Sequence, residues 1–496
     1  MNRRLIKRRK GEKNINIVSI TTSTILLLNI IFALYVVFRE KRDPASTWAW
    51  LLVLFFIPVL GFVLYLNLGQ DLSRIHLFQW DDKRKIKKEK LLREQEKEIQ
   101  EETFLYRHDY IKKHRDLIYM LLNSNESLLS QNNSVTVFTD GKEKFRSLIK
   151  DIQDAKHFIH MQYYIIKNDD LGKEVLNELT KKAKQGIKVR VLYDELGSRN
   201  LRKKAFRELI EAGGEVEVFF PSKFHLINVR MNYRNHRKLV IIDGTIGYVG
   251  GFNIGNEYLG LNRKFGYWRD THLRVAGQAV YDMQIRFILD WNQASHRNDI
   301  AYNPSLFPAP ENEGSVVMQI VTSGPDSPWE EIKSGYIKLI MSARNSIMIQ
   351  SPYFIPDASV MEALRIACLS GKEVSLMIPN KPDHAFVYWA TLSNMAELLK
   401  AGANVYIYNN GFIHAKTIVI DEEICTVGTA NMDVRSFKLN FEVNAFIYDR
   451  GVSSKLAEAF RKDILLSERL TLEKYNNRSF LIKCKESISR LLSPIL

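Results

Sequence analysis

Cysteine is nearly absent from this 496-residue sequence. There are three, Cys368, Cys425 and Cys484, far apart and at no metal-ligand spacing. This excludes a disulfide scaffold and a cysteine-built metal cluster, and an odd, scattered set points to a reducing compartment. Acidic residues are also in short supply: 56 Asp and Glu face 71 Lys and Arg, a formal net charge of +15. So basic a chain favours an anionic partner, either nucleic acid or an acidic membrane surface. Interleaved motifs for stacking nucleic-acid bases are missing, which counts against the first. Otherwise the chain is ordinary for a folded protein. Hydrophobic residues make up 46%, and the length suits two or three domains.

Charge is missing altogether from two stretches near the N-terminus, 15–38 and 48–70. Each is long enough to span a bilayer as a helix. Trp48, Trp50 and Tyr65 are placed as interfacial anchors, and Pro58 and Gly61 are tolerable in a membrane helix. A cleaved signal peptide fits poorly, because no Ala-x-Ala-like exit follows and a second apolar stretch does. Seven basic residues precede the pair and seven follow it by Lys90, against three in the connecting segment. The expectation is a two-helix transmembrane hairpin over 1–70 with both ends cytoplasmic. The remaining chain would lie against the inner face of a cell membrane.

Residues 71–133 read as a charged helical linker, with a basic start able to touch anionic lipid. From 134 onward, strand-like runs (135–138, 157–166, 188–194, 215–220 and 239–243) alternate with helical patterns, as in an α/β domain with a parallel or mixed sheet. The order then repeats. KHFIHMQYYIIKNDD, KVRVLYDE and EAGGEVEVFF are matched by RNSIMIQSPYFIPDA, EVSLMIPN and KAGANVYIYN. Two duplicated halves follow, 134–298 and 315–496, joined by a linker at 299–314 rich in Pro, Asn and Glu.

Each half ends its repeat with the same five-point pattern. NHRKLVIIDG begins the first copy, with His236, Lys238, Asp243, Gly250 and Asn253; IHAKTIVIDE begins the second, with His414, Lys416, Asp421, Gly428 and Asn431. A lone HxK pair means little, but two copies in one register point to a single site built from two half-sites. On a strand the His and Lys share a face, able to present an imidazole and an ammonium to one phosphate. The Asp, at the strand end, orders the loop as plausibly as it takes part in catalysis. The Gly permits close backbone approach, and the Asn can donate to a phosphate oxygen.

Two such half-sites suit a phosphodiester. One His attacks phosphorus and the other protonates the leaving alcohol, then activates the incoming one. The lysines supply charge that elsewhere falls to a metal, and no Asp/Glu cluster accompanies the motif, so neither metal nor other cofactor is expected. A carboxylate should hold the second nitrogen of each ring; Asp270 is the candidate for His236 and Glu442 for His414.

The paired HxKxxxxD motifs resemble the phospholipase D superfamily. YRNHRKLVIIDGTIGYVGGFNIGNEYLG, YWRDTHLRVAG, GTANMDVRSFKLNFEVN and the apolar N-terminus narrow the resemblance to its bacterial cardiolipin synthases, over nearly the whole chain. The resemblance implies transfer of a phosphatidyl group between two phosphatidylglycerol molecules, releasing glycerol. By that analogy His236 is the nucleophile and His414 the general acid and base. Where the superfamily usually has Gly-Ser-x-Asn, this chain has Gly250-Gly251-Phe252-Asn253 and Gly428-Thr429-Ala430-Asn431. Thr429 keeps a hydroxyl for phosphate; Gly251 leaves its half-site to backbone amides. The rivals are a phospholipase D-type hydrolase, another phosphatidyl transferase such as one making phosphatidylserine, a nuclease, and a catalytically dead membrane scaffold.

Overall fold

The computed structural model describes residues 82–491, apart from 202, 222–231, 296–297, 310–313 and 382, together with parts of 23–65. The chain divides into two compact units. One comprises 1–74 with 221–233, the other 75–220 with 234–496.

In the first unit a helix runs Pro44–Phe56. Its end lies two residues before Pro58, which cannot continue a helix. Leu54 and Tyr65 are buried here; Phe32 and Trp50 pack on Tyr65 with ring centroids 5.3 and 5.4 Å away. Asn29 Nδ2 donates to the Leu54 carbonyl at 3.1 Å, so the two apolar stretches touch. A helix of 13 residues is only about 20 Å long at its usual rise, short of a bilayer core. Among the described residues no helix is long and apolar enough to cross a membrane. Much of the first expected span lies outside them.

In the second unit strands and helices alternate through two rounds. The first supplies β1 (Ser130–Phe138), β2 (Phe158–Tyr163), β3 (Lys188–Asp194), β4 (Glu215–Phe219), β5 (Arg234–Asn235), β6 (Leu239–Ile242), β7 (Ile246–Gly250), β8 (Trp268–Arg269) and β9 (His272–Gly277). The second supplies β10 (Val316–Ser323), β11 (Ser346–Gln350), β12 (Phe354–Ile355), β13 (Glu373–Pro379), β14 (Asn404–Tyr408), β15 (Phe412–Ile413), β16 (Thr417–Ile420), β17 (Ile424–Gly428), β18 (Met432–Asp433), β19 (Asn440–Ile447) and β20 (Ser467–Leu470).

One sheet runs β4-β3-β2-β6-β7-β9-β1-β10-β19-β17-β16-β11-β13-β14-β20. Outward from the antiparallel β1–β10 pair the two directions match: β9 with β19, β7 with β17, β6 with β16, β2 with β11, β3 with β13, β4 with β14. In each half β2, β3 and β4, or β11, β13 and β14, pair in parallel, while the inner strands and the edge strand β20 pair antiparallel. This is the expected mixed sheet of two duplicated halves flanked by helices. Every residue of β2 is buried, the mark of a strand covered on both faces. Helices on the sheet start at Asp caps: Asp140 for Gly141–Asp154, Asp169 for Asp170–Lys184 and Asp449 for Arg450–Ile464. Each Asp accepts from backbone N–H groups of the first turn, which have no partner inside the helix.

The segment read as a charged linker has two parts. Asp82–Gln100 is indeed a charged helix, but Arg115–Asn125 buries Leu117, Ile118, Leu121 and Leu122 in the core of the second half. β1 then begins at Ser130. The HxK segments also differ from expectation. Residues 236–238 and 414–416 are not strand; they bridge the two-residue β5 and β15 to β6 and β16. The reason lies in where β5 and β15 go.

Candidate active site

Each of those short strands leaves its own half. β5 pairs in parallel with the start of β19, and β15 with β8. At the ends of these ribbons His236 N donates to the Phe441 carbonyl at 2.9 Å, and His414 N to the Arg269 carbonyl at 2.7 Å. The residue after each accepting carbonyl carries a carboxylate, Glu442 or Asp270. Each imidazole therefore meets the carboxylate of the other half. His236 Nδ1 lies 2.9 Å from Glu442 Oε2, and His414 Nδ1 lies 2.6 Å from Asp270 Oδ2. Both carboxylates are the expected ones, but the expected pairing within each half is wrong. Crossed ribbons, which no local pattern announces, exchange them.

Committing Nδ1–H to a carboxylate fixes the tautomer and leaves Nε2 for substrate. Lys238 Nζ donates to the His236 carbonyl at 2.7 Å, and Lys416 to the His414 carbonyl. Lys416 Nζ also lies 2.8 Å from His414 Nδ1. That nitrogen has one in-plane direction to offer, and Asp270 takes it.

All six groups are buried, and burial sets their proton affinities. It lowers Lys238 to about 7 and Lys416 to about 8, against the pull of Glu442 on the first and Asp270 on the second. Burial lowers His236 to about 4 with Glu442 opposing; burial and Lys416 lower His414 with Asp270 opposing. Burial disfavours charge on the carboxylates as well. Even so, Lys416 and His414 hold Asp270, and His236 and Lys238 hold Glu442, below the ordinary carboxylate range. Neutral imidazoles sit between charged partners, ready to take one proton between them. The T-shaped ring of Tyr164 packs on His236 at 5.0 Å, and Trp268 packs on His414 at 5.2 Å.

The residues beside the carboxylates explain the departure from Gly-Ser-x-Asn. Gly251 N donates to the Thr271 carbonyl just as Thr429 N donates to the Val443 carbonyl, so these positions correspond. A Cβ at Gly251 would lie 2.0 Å from Asp270 Oδ1. The shorter Asp carries its carboxylate nearer the backbone, where only glycine leaves room. Opposite the longer Glu442 there is space for Thr429. Its hydroxyl accepts from Val443 N at 2.9 Å and lies within reach of the Val443 carbonyl and the Glu442 carboxylate. Thr429 thus braces Glu442 rather than pointing a free hydroxyl at phosphate. Asn253 is partly engaged too: Oδ1 accepts from Ile165 N at 3.1 Å and the side chain bonds Tyr258. Asn431 differs, its Oδ1 buried without a hydrogen-bond partner among the described residues.

Asp243 and Asp421 lie elsewhere. Each follows its strand by one residue, about 23 Å of extended chain beyond the His. Asp243 accepts from Lys156, His157 and Phe158 N at 2.8, 2.8 and 2.9 Å; Asp421 accepts from Arg344, Asn345 and Ser346 N at 2.7, 2.8 and 2.8 Å. Both hold φ near +50°, at 53° and 50°, a strained region that these bonds stabilise. They pin the entry of β2 and β11. These bonds are the loop-ordering role, and they engage both carboxylates with backbone N–H groups at the strand entries.

Four further residues were missed from sequence. Arg237, fully buried, donates from Nη1 to Asp290 at 2.7 and 2.8 Å and from Nε to the Glu442 carbonyl at 3.0 Å. In the other half Arg269 donates from Nε to Asp463 at 2.9 Å and from Nη1 to the Asp270 carbonyl at 2.6 Å. Each guanidinium buttresses the backbone of one carboxylate. They come from different motif positions: Arg237 corresponds to Ala415, and Arg269 to Phe441, whose ring lies 5.3 Å from Arg237. The signal was present as a compensating exchange, HRK with NFE against HAK with WRD. Among the described residues no group of His, Cys, Asp and Glu is arranged to hold a metal ion.

Residues 148–278 and 336–464 match the family described as cardiolipin synthase, PLD-like domain, and residues 27–70 match a phospholipase D-nuclease N-terminal family. The chain is 62% identical to the major cardiolipin synthase of Bacillus subtilis over 97% of its own length and 100% of that protein. It is 56% identical to a cardiolipin synthase of Listeria welshimeri, covering 95% and 98%. A crystal structure of phosphatidylserine synthase from Haemophilus influenzae covers 77% of this chain and 100% of its own, with TM-score 0.57 and 16% identity; it supports the fold alone. The chain belongs to the cardiolipin synthase family of phospholipase D-like proteins.

Proposed function

We propose that this site moves a phosphatidyl group from one phosphatidylglycerol to a glycerol hydroxyl of another, giving cardiolipin and free glycerol. The observation that carries the reading is the pair of crossed His–carboxylate contacts, which hold two Nε2 atoms ready for one phosphodiester. His236, held neutral by burial, attacks phosphorus. The P–O bond to the glycerol headgroup breaks, and His414, carrying the pair's one added proton as an imidazolium with its Nδ1–H on Asp270, gives that oxygen its Nε2 proton. His414, now neutral, takes the proton of the second lipid's hydroxyl. That oxygen attacks phosphorus and the P–N bond to His236 breaks. Proton transfer by such groups contributes about 10²–10⁴ in rate. Lys238 and Lys416 stabilise the non-bridging oxygens, and a bound phosphodiester anion raises their proton affinity. One diester replaces another, so no nucleotide is consumed.

We also assign 15–38 and 48–70 to a membrane hairpin, with the catalytic unit on the cytoplasmic face. The uncharged runs and the basic residues on either side support this. A reporter fused after Leu496 that proved extracytoplasmic would reverse the orientation. The chemistry is tested by supplying phosphatidylglycerol alone and separating the products. Cardiolipin with equimolar glycerol is expected. Phosphatidic acid as the only lipid product would make the protein a hydrolase.

A further inference from the structure

The helix Phe480–Leu491 is turned inside out. Successive residues of a helix turn by about 100°, which places Phe480, Leu481, Cys484, Ile488 and Leu491 within one arc. That arc faces outward: Phe480 is 78% exposed, Leu481 72%, Ile488 56% and Leu491 81%. The inward arc holds Glu486 and Ser489, both buried, and Arg478 pairs with the Glu486 carboxylate. A helix on a water-soluble surface carries the opposite pattern, and a continuous exposed apolar stripe marks a contact surface. The helix is held in this orientation by packing on the helix Ala385–Ala401, which itself exposes Phe386 at 54%. Lys485 Nζ lies 5.3 Å from the Trp389 ring.

We infer that the Phe480–Leu491 helix lies in the headgroup layer of an anionic bilayer and seats the catalytic unit on its substrate surface. The charges beside the stripe select that occupant. Lys483, Lys485 and Arg490 are exposed on its borders, and the helix's one acid, Glu486, is turned inward. Apolar residues inserted between basic flanks are the pattern of an interfacial helix, the basic stems reaching up to anionic headgroups. A second copy docking through the same stripe would bring two sets of these like charges together, which opposes a homotypic contact. The inference rests on the reading that the substrate is a lipid, and it adds where that lipid is met.

The test uses the full chain with Cys368→Ser and Cys484→Ser, reconstituted into vesicles of phosphatidylcholine with a minority of phosphatidylglycerol. A nitroxide on Ile488→Cys or Leu481→Cys is expected to be reached by oxygen and shielded from a water-soluble nickel chelate. A label open to the chelate overturns the inference. So does a label shielded from both, which would mean that protein covers the stripe, either a second copy or the N-terminal unit. Activity separates this outcome from the catalytic reading. Leu481→Glu with Ile488→Glu should raise the apparent KM for bilayer phosphatidylglycerol about tenfold or more, with turnover of dispersed short-chain phosphatidylglycerol unchanged. Equal loss on both substrates would mean that the helix is only structural. Failure of the unaltered chain to form cardiolipin from either substrate would instead remove the reading of the site.

Discussion

Around His236 the holding carboxylate is Glu442, with Thr429 filling the space beside it and Arg237 gripping its backbone from below. Around His414 it is Asp270, one methylene shorter, with Gly251 giving that space to the carboxylate itself and Arg269 in the guanidinium position. The reacting groups match while their supports differ. The differences come in pairs: Asp with Gly, Glu with Thr, Arg237 with Phe441, Ala415 with Arg269. A duplicated site diverges by exchanges that conserve volume and hydrogen bonding together. A single change taken from one half into the other should therefore fail where a paired change succeeds.

The largest effects should come from the shared parts. His236→Ala or His414→Ala should each lower kcat/KM at least about 10⁴-fold, since groups acting as a unit lose nearly everything when one is removed. Glu442→Gln or Asp270→Asn should cost about 10²–10⁴-fold, by releasing the tautomer of the imidazole each one faces. Gly251→Thr, which imports the other half's residue, should cost about 10²-fold by displacing the Asp270 carboxylate, whereas Thr429→Gly should cost about tenfold through one lost brace. Pairing Gly251→Thr with Asp270→Glu should recover part of the loss. Assaying the four proteins closes the cycle, and strict additivity would contradict the packing argument.

The pH dependence is smaller and has a definite sign. Burial lowers both lysines, so their positive charge disappears as pH rises, near 7 for Lys238 and 8 for Lys416. kcat/KM, which reports the free enzyme, should fall on the alkaline side of about 7. The limb in kcat should lie higher, because bound phosphodiester favours the ammonium form. An alkaline limb at the same pH in both parameters would mean that the lysines do not face the phosphate. The smallest effect on catalysis should follow Asp243→Asn or Asp421→Asn. Each weakens three backbone hydrogen bonds remote from the chemistry, so about 1–3 kcal/mol of stability should be lost while kcat of the folded fraction stays near that of the unaltered chain. Thermal unfolding and active-site titration separate the two.

His236, Lys238, His414 and Lys416 were legible because a pattern repeated in register carries information that one copy does not. The duplicated α/β halves were legible for the same reason. The carboxylate partners were found but assigned to the wrong rings. The β5–β19 and β15–β8 ribbons join segments about 200 and 140 residues apart, and such pairing leaves no periodicity within a half. Asp243 and Asp421 share the motif yet pin strand entries, since recurrence marks a shared fold as readily as a shared reaction. Arg237 and Arg269 escaped because they break the register in compensation for one another. The inverted helix Phe480–Leu491 had a readable amphipathic pattern, but which face turns inward is decided only by what it packs against.

The crossed wiring is tested most directly by a lipid substrate with a leaving group that needs no proton, phosphatidyl-p-nitrophenol. Forming the phospho-His intermediate then depends on the nucleophile and its carboxylate alone. A rapid p-nitrophenol burst is expected in His414→Ala and in Asp270→Asn, and none in His236→Ala or Glu442→Gln. A burst lost in His236→Ala and Asp270→Asn but retained in His414→Ala and Glu442→Gln would group the residues by half and contradict the crossed wiring.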